Sequence, residues 1–118
     1  MVTLESVADA ALRRDNLVLR SLTQDFLREH PCLNAIPRPT TTNSQLLTIA
    51  AALLELFALR TGQAAPSWTR EIGAMSEPMF LVEAATRMRN LRTLCELESP
   101  EPLRKRGLYA PPEFLTFA

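Results

Sequence analysis

Few residues in this chain could do chemistry. His30 is the single histidine, Cys32 and Cys95 are the two cysteines, and Gly62, Gly73 and Gly107 stand far apart. A Ser-His-Asp or Cys-His nucleophile, and most catalytic zinc sites, would have to be built on His30. His-Pro-Cys at 30–32 offers two metal ligands at most. Pro31 disfavours α geometry in the residue before it, so His30 falls at a helix C-terminus, where the helix dipole alone accounts for an imidazole. Isolated glycines cannot form a loop that cradles phosphate. Glu96, Glu98 and Glu101 are the densest acidic run, but i, i+2 spacing sends the first two to different helix faces. No enzyme template survives, and neither cofactor nor metal is expected.

The basic residues carry more information. Twelve of the 13 are arginine, Lys105 being the other, a bias that a GC-rich genome also produces. Arg87, Arg89, Arg92, Arg104, Lys105 and Arg106 gather in the final third, where they could meet phosphate or an acidic protein surface. No aromatic platform lies beside them, which weakens the case for single-stranded nucleic acid. Helical phase sets Arg92 on an apolar stripe between Met88 and Cys95. There it either snorkels, pairs with Glu96, or faces a partner. Trp68 reads as a core anchor. Tyr109, Phe114 and Phe117 read equally as core or as contact with a partner.

These side chains must be positioned by helices. Leucine (20) and alanine (15) far outnumber valine plus isoleucine (seven), a composition that favours helix over strand. Prolines and glycines leave clean windows at 1–30, 40–61 and 79–99. Thr3 caps a first helix carrying Leu4, Val7, Ala8, Ala11 and Leu12. A break is expected near Arg14–Asn16, then a second helix with Val18, Leu19, Leu22 and Phe26 inward. Residues 31–42 are a connector pinned by Leu33 and Ile36. A third helix, capped by Thr42 or Asn43, runs to Thr61 with Gly62 as the C′ residue. Between Leu46 and Leu59 only Thr48 and Glu55 are polar, which marks a central helix or a subunit interface. Ser67 is expected to cap a short fourth helix ending near Gly73. A fifth is expected from Pro78, with Leu81, Ala84, Ala85, Met88, Leu91 and Cys95 on one face. Ser99-Pro100-Glu101-Pro102 then starts one or two turns before Gly107, and the tail 108–118 packs back on the bundle. The expected fold is one all-α domain over 1–118, a compact bundle of about five or six helices around a central apolar helix.

Charge and apolar content exclude further classes. Net charge is zero, with 47% apolar and 22% charged residues, as in globular rather than disordered chains. A zero balance removes whole-molecule attraction to nucleic acid or membrane. No signal peptide is read at the N-terminus and no segment is read as spanning a membrane. With two isolated cysteines, the expected compartment is the cytoplasm.

The second half bears a resemblance. Pro66-Ser67-Trp68-Thr69, then Glu77-Pro78-Met79-Phe80, an arginine-bearing helix, and Ser99-Pro100-Glu101-Pro102-Leu103-Arg104-Lys105-Arg106-Gly107-Leu108-Tyr109 resemble a small helical domain of bacterial antitoxin-like proteins from two-gene toxin–antitoxin loci. The likeness covers roughly residues 46–115, and the order of its short elements is what carries it. In that family the domain also occurs fused to a helix-turn-helix module, and the neighbouring gene often encodes a nucleotidyltransferase-type toxin. Residues 1–30 lack the clustered basic and polar residues of a recognition helix. The resemblance therefore implies a non-catalytic role, occlusion of a protein encoded nearby, and its motif includes Arg104, Arg106 and Tyr109; helical phase and the apolar tail add Arg92, Phe114 and Phe117 to the expected contact set. Two other readings stand beside it. One is a small regulator that binds nucleic acid through the C-terminal arginines, and the other is a homo-oligomeric scaffold built on the third helix.

Overall fold

The computed structural model describes residues 2–116. Five α-helices form the frame: α1 (Leu4–Leu12), α2 (Asn16–Glu29), α3 (Ser44–Thr61), α4 (Arg89–Glu98) and α5 (Glu101–Arg104). Short 3₁₀ turns at Leu33–Ala35, Ser67–Glu71 and Glu83–Thr86 join them. Two residue pairs, β1 (Met79–Phe80) and β2 (Leu108–Tyr109), lie parallel, with Met79 opposite Leu108 and Phe80 opposite Tyr109. The fold is an all-α bundle, as the composition implies.

α3 is its axis. Ile49 to Leu54, then Leu56, Phe57 and Ala58, are all buried, so the helix is enclosed on nearly every side. α1 supplies Leu4, Val7, Ala8, Ala10 and Ala11; α2 supplies Leu19 and Phe26. The alanines let α1 lie close against α3 with no long side chain between them. Asn43 Oδ1 accepts from the amides of Gln45 and Leu46, and Gly62 ends the helix at φ 69°, the left-handed geometry that favours glycine. Length and hydropathy alone would let this helix cross a membrane. Here it packs against α1, α5 and the Ser67–Glu71 turn.

Local signals hold well in the first half. Thr3 makes a reciprocal capping box with Ser6, and Arg14 at φ 57° turns the chain before Asp15 caps α2. Leu33 and Ile36 are buried, and Trp68 Nε1 donates to Ile36 O at 2.9 Å, which ties the connector to the Ser67–Glu71 turn. One position differs: Val18 is exposed, in the first turn of α2 and about a quarter-turn round the helix from the buried row of Leu19, Thr23 and Phe26.

The second half departs further from expectation. No helix starts at Pro78. The amides of Met79 and Leu81 donate to Gly107 O and Tyr109 O, each at 2.9 Å, so this stretch is extended and α4 begins only at Arg89. Ala84 and Ala85 fall in a 3₁₀ turn, and Met88 is exposed. Ser67 does not cap a helix; it is the first residue of the 3₁₀ turn, and Pro66 holds the cap position. Ser99 ends α4 rather than starting α5. Its buried hydroxyl donates toward the carbonyls of Cys95 and Ala110 and accepts from Ala110 N at 2.9 Å.

Candidate partner-binding face

α4 lies at the edge of the bundle, held mainly by the Glu83–Thr86 turn. Among its residues only Cys95 is fully buried, and burial together with the charges of Glu113 and Glu96 raises that thiol above its ordinary value. Fully buried and held as the neutral thiol, Cys95 packs as a small apolar side chain. The outer side of the helix is mixed. Arg92 pairs with Glu96 at 3.2 Å, one helical turn away, with both side chains about half exposed. Its guanidinium lies 5.3 Å from the centre of the Phe80 ring. Phe80 in turn sits 5.5 Å from Tyr109, a contact that the β1–β2 pairing enforces by setting the two residues opposite one another. Arg14, turned inward at the α1–α2 corner, donates from Nε to Phe80 O at 2.9 Å.

Two apolar side chains nearby are exposed, Met88 at 56% and Leu97 at 68%. Arg104 Nη1 donates to Leu97 O at 3.2 Å, which brings an exposed arginine to the C-terminal end of α4. Met88, Arg92, Phe80 and Tyr109 thus lie along one strip, while Leu97, more than a third of a turn round the helix from Arg92, is exposed on another side together with Arg104. Methionine, arginine and aromatic residues are the types enriched where proteins meet. Of the alternatives expected for Arg92, the structure shows the pairing with Glu96.

Two of the expected contact residues face inward. Arg106 is 3% exposed and meets Glu55 of α3 through Nη1, while Nη2 donates to Thr69 O at 2.7 Å. Lys105 Nζ lies 3.0 Å from the same Glu55 oxygen. Burial alone would raise the Glu55 carboxyl, but the hydrogen bonds from Arg106 and Lys105 and the charge of Arg106 outweigh it. The carboxyl is held below its ordinary value. Arg106 is therefore a tie between α3 and α5 and is not presented to a partner. Phe114 is also in the core, at 8% exposure, with its carbonyl and that of Pro112 accepting from Arg60. Phe117 lies outside the described residues.

His30 caps the C-terminus of α2, 4.7 Å from the Phe26 ring, with Nε2 3.1 Å from Val2 O. Among the described residues no three His, Cys, Asp or Glu side chains are placed to hold a metal. Comparison of the chain with protein-family models, with curated proteins and with solved structures gives no match.

Sequence reasoning missed half-buried Phe80 and exposed Leu97. It also missed Glu55 as the partner of Arg106. Glu55 did carry a signal, since it is the lone charge between Leu46 and Leu59, and a charge on a buried helix requires a counter-charge.

Proposed function

We propose that this chain is a non-catalytic partner-binding protein, antitoxin-like in type, which covers a protein encoded nearby through the outer strip of α4 and α5. The observation that carries the reading is the strip itself. Exposed Met88 lies one turn before Arg92, whose half-exposed guanidinium stands over Phe80, itself against Tyr109, and exposed Leu97 and Arg104 follow further along α4 and α5. Such anchors contribute most to binding when a partner dries them. Arg92 and Arg104 would pair with carboxylates of the partner, for which a nucleotidyltransferase-type toxin is the expected class. The mechanism is occlusion, with no bond made or broken. A cationic DNA-binding surface is less well supported, because Arg106 is neutralised inside the fold and Arg92 is paired with Glu96.

Co-expression of the tagged protein with its flanking genes, followed by purification and mass identification, tests this. A stoichiometric neighbour should co-purify. Arg92→Ala and Met88→Glu should each weaken that complex by about tenfold or more while leaving the circular-dichroism spectrum unchanged. Recovery of the chain alone, or a complex indifferent to both substitutions, would refute the proposal.

A further inference from the structure

A second feature lies beside α5. A cleft of about 290 Å³ opens between the Ser67–Glu71 turn with its following loop and the C-terminus of α5. Arg70, Ile72, Gly73, Ala74, Lys105 and Arg106 line it, three cationic side chains and no acidic one. Glu55, beneath them, is shared by Lys105 and Arg106 and can neutralise only one. No hydrogen bond or ion pair engages the Arg70 side chain among the described residues, and the amides of Gly73 and Ala74 donate to nothing there. The buried Nε–H of Arg106 likewise has no acceptor among the described residues.

We infer that this cleft is a binding site for a phosphate dianion, either free or as the terminal monoester of a small molecule. Arg70, Lys105 and Arg106 stand against Glu55 and, in the adjoining hollow, Glu101, which leaves the cleft positive and suited to an anion. The arginine fork of Arg70 and the compact ammonium of Lys105 are the two common phosphate-binding groups, and adjacent free amides add neutral donors from the backbone. A nucleic-acid strand fits less well. Three charges confined to one cleft, with Glu101 beside Lys105 in the adjoining hollow, do not form the extended track that a polyanion needs. The inference is independent of the partner-binding strip.

The test is an NMR titration of the full chain with inorganic phosphate at low ionic strength, with sodium chloride of equal ionic strength as control and adenosine monophosphate as a second ligand. Saturable shifts at the Gly73 and Ala74 amides, absent with chloride, are expected. Arg70→Gln and Lys105→Gln should each weaken binding by about tenfold, with no loss of fold. Tighter binding of adenosine monophosphate than of phosphate would identify an organic monoester, and equal binding would identify the phosphate group alone. Shifts no larger than with chloride would overturn the assignment, as would affinity unchanged in Arg70→Gln. A salt-sensitive response to a DNA duplex, spread over Arg87 and Arg89 rather than the cleft, would overturn it too.

Discussion

Replacing Glu55 by leucine should be among the costliest single changes in this protein. In the folded chain Arg106 is 3% exposed and Glu55 is its single charged partner among the described residues; the Lys105 side chain is half exposed and can turn back to water. The cost therefore falls on Arg106, left charged and desolvated. Removing one member of a buried pair destabilises by about 3–5 kcal/mol, a large share of the roughly 5–15 kcal/mol that holds a domain together. For a chain of this length that is a fall of about 10–20 °C in Tm. Glu55→Gln keeps an acceptor in place and should lose about 1–3 kcal/mol. The double variant Glu55→Leu with Arg106→Met replaces the pair by apolar side chains and should recover to within about 2 kcal/mol of the parent. Thermal and urea unfolding followed by far-ultraviolet circular dichroism measures all three. A Glu55→Leu variant within about 1 kcal/mol of the parent, or a double variant no more stable than the single, would show that Arg106 does not depend on Glu55.

Three further outcomes are expected. Because the Glu55 carboxyl lies lower in the folded than in the unfolded chain, its stabilising effect is complete above about pH 5 and fades as pH falls through the folded value; urea midpoints should drop more steeply from pH 5 to pH 3 in the parent than in the double variant. Ser99→Ala strands the Ala110 amide and should cost about 1–3 kcal/mol, read as a lowered urea midpoint with an unchanged slope. Arg60→Ala releases the carbonyls of Pro112 and Phe114, so amide exchange at Phe114 and Thr116 should quicken while global stability falls by about 1 kcal/mol or less; unchanged exchange would mean that Phe114 alone holds the tail.

The parts of this fold that could be read from sequence are those set within one or two turns of chain. Thr3, Asn43 and Gly62 terminate helices through atoms a few residues away, and the break at Arg14–Asn16 follows from Asp15 interrupting an apolar stripe. What could not be read is set across long separations. A strand of two residues has no periodicity, so nothing in Met79–Phe80 announced its pairing with Leu108–Tyr109, and Pro78 looked like a helix start. The same distance hid half of the candidate face. Arg92 was legible from helical phase, but Phe80 reaches it only through the strand pairing. Arg106 looked like its neighbour Arg104 until Glu55, on another helix, drew it inward.

The parallel pairing of β1 with β2 also bears on how such a chain can change over time. Because the strands run parallel, the chain from Leu81 to Gly107 leaves at one end of the pair and returns at the other, a crossover that carries α4 along the edge of the bundle and packs α5 against α3. A segment so fastened can lengthen, shorten or alter its outer residues without shifting the ends that the bundle sees. α5 is constrained by Glu55, but α4 is not. Variation should therefore collect on α4, so that relatives sharing the same α1–α3 bundle could present differently shaped arches to different partners.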